Sequence, residues 1–349
     1  MKVRGVVLFL VLLCVSSVSG GIRPSFSLDY CSWNATHIVV ATEGDEIDGN
    51  LSVLESLKGD LNYSETVFIQ ELAAFKSESL RQVKEWYSEK TLSSKYVSGG
   101  KLILFLKKNP NSKGIWQSAN LFGDFTVSVV WIEDTETFAF IQTMNPGSSI
   151  LVEYGQTETG IRNRIYEITE LEKSLDSVLK IKDKTERTEQ LERFAISDFF
   201  LAREKAFEEF EKCGKNALPV LRKMLKDESL LKIHGDVIKT LQVVGGREVG
   251  NELTEIVKQE MNFWKETAPK LEIGWWNQIN EPQTEILRDR YSKVLEAIYQ
   301  LKELKFKNCR KIVTQFRNFW RSLPQLEDQS GLNQMSEECD KLLREIGSK

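Results

Sequence analysis

From Cys31 to about Glu153 the apolar residues come in short runs rich in Val, Ile, Phe and Thr, each bounded by turn material. The runs are THIVVATE, NLSVLESL, TVFIQEL, KLILFLKK, FTVSVVWIE and TFAFIQTM, and the breaks include Asp48-Gly49, Gly99-Gly100 and Asn109-Pro110. β-Branched and aromatic side chains suit a pleated, half-buried surface, so each run predicts a strand. VSVVWIE and TFAFIQTM are joined by Asp134-Thr135-Glu136, a connection short enough for a hairpin. Between the third and fourth runs, FKSESLRQVKEWYSEK places Leu80, Val83 and Tyr87 at helical spacing and predicts one inserted helix. Five or six strands with a single helix describe a small closed or partly open barrel.

After Glu153 the period changes to 3.6. Ile165, Ile168, Leu171, Leu175 and Val178 form one stripe, and Leu191, Phe194, Phe199, Ala202, Ala206 and Phe210 the next. In NALPVLRKMLKDESLLKIHGDVIKTLQVVGG, Asn216 is placed to cap a short helix with Pro219 in its first turn. A second helix carries Leu231, His234, Ile238 and Leu241 on one face and stops at Gly245-Gly246. Further on, Asn280 and Gln283 read as a capping box ahead of Leu287, Tyr291, Val294, Ile298 and Leu301. Cys309, Ile312, Phe316 and Phe319 stripe another helix, and Leu332, Met335, Cys339, Leu342 and Ile346 a last one. The expected fold class is therefore α+β with two domains, a β-barrel with one inserted helix over 30–153 and an all-α array over 160–349.

Two resemblances sharpen this. ATHIVV, LSVLESLKGDL and GGKLILFL resemble the netrin/TIMP-like form of the OB barrel. Cys31 precedes the first strand, Ala35 enters it, Lys58-Gly59 closes the next, and Gly100-Lys101-Leu102 opens a later one. That resemblance implies an OB-like barrel. TIMP-type inhibitors set the amine and carbonyl of an N-terminal Cys on a protease's zinc. Here GIRPSFSLDY still precedes Cys31 and the family's other cysteines are missing, so that mechanism does not carry over. Residues 205–265, with REVGNELTEIVKQEMNFW opening a following unit, resemble one unit of a HEAT-type solenoid. No strict repeat is visible, and the reading is an irregular HEAT-like array.

The first residues change the picture of compartment. Lys2 and Arg4 precede GVVLFLVLLCV and then SSVSGG, the layout of a secretory signal over 1–20, which predicts a secreted or periplasmic protein with no membrane span after cleavage. The 47 basic and 51 acidic residues give −4, and loss of Lys2 and Arg4 takes this to −6. No basic stripe stands out, which disfavours nucleic acid as a partner. Cys31, Cys213, Cys309 and Cys339 remain, too few for a disulfide framework, with Cys309 and Cys339 as the possible bridge. No metal or cofactor is expected. Asn34, Asn50 and Asn62 stand in Asn-x-Ser/Thr sequences, which matter only in a host that glycosylates.

Local catalytic signatures are missing. Cys31 and His37, six positions apart, lie about 20 Å apart in an extended strand, too far for a thiolate–imidazolium pair. His234 has Ile238 at i+4, which favours a core histidine over a metal ligand. The acidic stretch EGDEIDGN lacks the ligand spacing of a calcium loop, and GGREVG follows a helix rather than a strand. Paired carboxylates among the 51 acids remain open. The strongest candidate is FWKETAPKLEIGWWNQINEP, where Trp264, Trp275 and Trp276 stand near Asn277 and Asn280. Such a group is either a platform for a sugar or peptide, or a plug where the helical array turns. The expected function is an exported, non-catalytic binding protein for an unknown protein or glycan. The alternatives are a carboxylate-dependent, glycan-directed hydrolase at Trp275/Trp276 and a protease-inhibitor-like module.

Overall fold

The computed structural model describes residues 27–43, 50–69, 101–108, 115–119, 127–133, 136–142, 150–153, 157–272, 274–277, 281–323, 326 and 332–347. The N-terminal apolar run, the helix expected over 75–90 and the three turn pairs named above lie outside these residues. The chain divides into two compact units, residues 1–173 and 174–349.

The first unit opens with a helix, α1 (Leu28–Asn34), that strand periodicity did not predict. Ser27 caps it by accepting from the Tyr30 N–H, and Asp29 sits in its first turn, where the exposed N–H groups favour a negative charge. Strands β1 (His37–Glu43), β2 (Asn50–Lys58), β3 (Thr66–Ile69), β4 (Lys101–Lys108) and β5 (Ile115–Ser118) follow. They pair in the order β1-β2-β3-β5-β4 and back to β1, which closes a five-stranded OB-like barrel. The β3–β5 pairing is parallel and the others are antiparallel. Two register irregularities between β1 and β2, at Ile38/Val39 and Val40/Ala41, add the local bend that closure needs.

β4 explains its own apolar run. Its C-terminal residues Leu106 to Lys108 pair with β5, and its N-terminal residues Lys101 to Leu104 pair with β6 (Val127–Glu133) on that same edge. The sheet then continues through β7 (Glu136–Gln142) and β8 (Ile150–Glu153). Glu133 pairs with Glu136, so the β6–β7 connection is two residues, one fewer than expected.

Val39, Ala41, Leu51, Val53, Val67, Ile69, Leu102, Leu104 and Leu106 fill the barrel. On the outer face, Ile38, Val40, Ile103 and Phe105 meet Leu28 and Cys31 of α1 and Val130 and Ile132 of β6. β1 and β4 are thus buried on both faces, which is why HIVVA and LILFL run apolar without alternation. The next helix, α2 (Glu158–Leu179), adds Ile161 and Ile165 to this outer core. Arg162 pairs with Glu55 at 2.7 Å, and Arg164 with Asp29 at 2.6 Å. The division between the two units falls inside α2.

The second unit is helical: α3 (Lys184–Ala195), α4 (Phe200–Cys213), α5 (Leu218–Lys226), α6 (His234–Gly245), α7 (Gly250–Thr267), α8 (Pro282–Glu303), α9 (Arg310–Arg321) and α10 (Gln334–Gly347). Consecutive helices pack as pairs, α3 on α4, α5 on α6, α7 on α8 and α9 on α10. The second members also pack successively, α4 on α6, α6 on α8 and α8 on α10, giving a layered helical array. Two caps differ from expectation. Asn216 does not cap α5; its amide donates to the Cys213 carbonyl, and Ala217 precedes the helix. At α8 the cap position is Glu281 with no side-chain bond, because Pro282 starts the helix, and Asn280 lies outside the described residues.

Candidate functional site

The tryptophan stretch forms a closed ring of aromatics. Trp264 of α7 touches Trp275 (centroids 5.9 Å), Trp275 touches Trp276 (5.4 Å), and Trp276 touches Tyr291 of α8 (5.1 Å). Tyr291 touches Trp320 of α9 (5.9 Å), and Trp320 returns to Trp264 (5.4 Å, 73°). Trp264, Trp275, Tyr291 and Trp320 are buried, Trp276 is half-buried and Asn277 is exposed. Arg288 lies over the Trp276 ring and donates from Nη2 to the Trp276 carbonyl. Trp320 Nε1 donates to the Leu332 carbonyl at 3.1 Å, whereas the buried Trp264 Nε1 finds no acceptor among the described residues. Edge-to-face and tilted contacts of this kind bind three helices and a connection into one core. The rings do what a plug does, and of the platform only Trp276 and Asn277 reach the surface among the described residues.

The scarce nucleophiles and imidazoles are engaged elsewhere. Cys31 is packed in the outer core of the barrel. His37 bonds Asp60 at 2.6 Å and Thr36 at 3.0 Å, and its ring meets Trp116 edge-on. His234 is buried with Nε2 at 3.2 Å from the Met224 carbonyl and 3.1 Å from that of Asp227; burial, then nearby Lys293, lowers its pKa. Cys309 and Cys339 are free, buried thiols rather than a bridge; burial raises them to about 11 and about 12. Among the described residues, no group of three or more His, Cys, Asp or Glu is placed to hold a metal ion.

A different feature appears at α9 and α10. In α9, RKIVTQFRNFWR, residues Val313, Phe316 and Trp320 face the core, while Arg310, Arg317 and Arg321 recur at i, i+7 and i+11 along another flank. In α10 the stripe Met335, Cys339, Leu342 and Ile346 is buried, which leaves Asp340, Leu343, Arg344 and Gly347 alongside α9. Arg317 and Arg321 both bond Asp340, at 2.8 and 2.6 Å. Burial raises the Asp340 pKa, and the two arginine bonds outweigh it, so the carboxyl stays below its usual range. At the other end a Cβ on Gly347 would stand 3.2 Å from Arg310 Nη2, so Arg310 lies against the last turn of α10. The carbonyl end of a helix favours a cation there. Between these contacts runs an open groove of about 620 Å³ lined by Arg310, Arg317, Asp340, Leu343, Arg344 and Gly347.

This groove was missed because the whole-chain charge is negative. Yet from Leu304 to Leu326 there is no acid, against Lys305, Lys307, Arg310, Lys311, Arg317 and Arg321. A charge count in windows, rather than over the chain, finds it. Arg310 has no ion-pair partner among the described residues.

The layer formed by α4, α6 and α8 carries the opposite character. Glu204, Asp236 and Glu296 each have a raised pKa, chiefly from burial; neighbouring acids, Asp236 among them, add to this for Glu204 and Glu296. Arg203 approaches Asp236 only to 4.0 Å, and Gln300 donates to Glu296 at 2.6 Å.

The fold and its surfaces define an α+β protein, a closed OB-like barrel followed by a helical array. Compared with family models, curated proteins and solved structures, the chain matches none.

Proposed function

We propose that this is an exported binding protein that acts without catalysis, and that its helical unit recognises an anionic partner at the α9/α10 groove. The observation that carries this reading is the arginine-lined groove with Arg310 exposed and free of an ion-pair partner among the described residues. An exposed cation such as Arg310, with no ion-pair partner among the described residues, steers and orients an incoming anion more than it stabilises the fold. Export rests on the leader-like first 20 residues. A netrin-like form of the barrel is supported by Cys31 just ahead of β1, Lys58-Gly59 at the end of β2 and Lys101-Leu102 opening β4. A HEAT-like reading of the array is supported by the consecutive helix pairs.

The test is charge reversal at the groove. Arg310→Glu with Arg344→Glu should elute at lower salt than the native chain from immobilised poly-glutamate or heparin. Equal elution from both matrices would overturn the reading.

A second reading, a glycan-directed hydrolase, keeps one observation: the raised carboxyls Glu204, Asp236 and Glu296, the condition a general acid requires. It predicts turnover of an oligosaccharide that Glu296→Gln abolishes.

A further inference from the structure

We propose that the α9/α10 groove is a docking site for an acidic polypeptide segment in which carboxylates flank an apolar side chain. This rests on the binding reading above and names the class of partner.

The first reason is the kind of cation. Arg310 and Arg344 present exposed guanidinium forks, which pair bidentately with planar carboxylates, while Arg317, whose fork is held by Asp340 and Asn318, adds positive charge to the groove wall. Seven residues of helix separate Arg310 from Arg317, a rise of about 10 Å. About three residues of extended chain cover that span at 3.3 Å each.

The second reason is Leu343. It is half-buried and contributes apolar surface to a groove otherwise lined by charge. A densely sulfated polysaccharide has nothing to place there. Asp340 argues in the same direction: it stands in the groove wall and, although bonded to Arg317 and Arg321, it repels a partner with charge on every unit.

The third reason excludes an anionic bilayer. Insertion of a basic helix needs its apolar face in the lipid. In α9 that face is Val313, Phe316 and Trp320, and all three are buried in the protein core.

Fluorescence anisotropy of the intact chain decides the matter. The probe is a short fluorescein-labelled peptide with two glutamates three positions apart and a leucine between them. Expected are saturable binding, about tenfold weaker binding of the glutamine version, and a loss of about fivefold or more in Arg310→Ala and in Arg344→Ala. Leu343→Ser should weaken the leucine peptide and leave a version with glycine in place of leucine unchanged. Lys258→Ala, an exposed cation of α7, should have no effect. Circular dichroism confirms that each variant is folded, and Arg310→Lys provides a milder substitution should alanine disturb α10. Arginine-dependent binding of heparin or phosphatidylserine vesicles in preference to the peptide overturns the peptide assignment alone. Loss of arginine dependence for every probe overturns this inference and the binding reading together.

Discussion

The imidazole of His37 fills the space beside Gly59 where any other residue would carry its Cβ: that atom would stand 2.3 Å from His37 Cδ2. Gly59 also has φ +90°, a backbone conformation that L side chains avoid. The Lys58-Gly59 turn thus places Asp60 on His37 and closes β2 against β1. Gly59→Ala should lower the stability of the barrel unit by about 2 kcal/mol or more, from overlap and strained backbone together. A double-mutant cycle with His37→Ala separates the two, because removing the ring relieves the overlap and leaves the φ strain. Strictly additive costs in denaturant unfolding would show that the overlap is not felt.

The aromatic ring makes a prediction that separates packing from recognition. Trp264→Ala and Trp320→Ala should each cost about 3–5 kcal/mol, because fully buried rings leave cavities. Trp276→Ala should cost less, being half-buried, and Asn277→Ala should stay within about 0.5 kcal/mol. Thermal unfolding of the four variants gives the order. If Trp276→Ala proves as costly as Trp264→Ala, the ring is not built as described.

How much of this was legible depended on what each residue's neighbours were. The strand-to-helix change near Glu153 was readable because period 2 and period 3.6 are local properties. The interior of β1 and β4 was readable too, since burial on two faces writes an uninterrupted apolar run. β5 was not: IWQS is four residues long with two polar members, and only its pairing to β3 and β4 makes it a strand. α1 was hidden behind Cys31, although Ser27 and Asp29 are ordinary helix-start signals. The tryptophans were found, but their burial depends on Tyr291 and Trp320, which come from other helices. The arginine groove needed both a local charge count and the knowledge that α9 and α10 are neighbours.

Opposite pH dependences are expected from two sets of carboxyls. Glu296 and Asp236 have raised pKa values in the folded chain, chiefly through burial, so folding binds their protons more tightly than the unfolded chain does. Their unfavourable contribution appears as pH rises through the ordinary carboxylate range and is complete above their folded values. Glu296→Gln, which still accepts from Gln300, should therefore stabilise at pH 7, with the gain vanishing below about pH 4. Asp340 has the opposite sign. Its folded pKa is lowered, so its contribution is present above the unfolded value and is lost as pH falls through the folded one. Asp340→Asn should destabilise at pH 7 and converge with the native chain in acid. Urea midpoints across pH 3 to 7 check both, and parallel curves would contradict the assignment.

Glu260 of α7 is a buried carboxylate that joins two cations of α8. It is 1% exposed, and its Oε1 accepts from Arg290 at 3.0 Å and pairs ionically with Lys293 at 3.1 Å. Lys293 is itself 4% exposed and has Glu228 as a second partner at 3.4 Å. Among the described residues Glu260 Oε2 has no hydrogen-bond partner, so replacing the group together with its cation should cost little. Removing it alone is different, because Lys293 then stays buried with only the more distant Glu228. Glu260→Ala should cost about 3–5 kcal/mol, against less than about 1 kcal/mol for an exposed pair such as Lys258–Glu255. Glu260→Met with Lys293→Met should recover most of that loss, since an apolar pair of similar volume carries no desolvation penalty. Equilibrium unfolding of the single and double variants measures the coupling. A double variant as unstable as the single one would mean that the helices depend on the charges themselves rather than on filling the space between them.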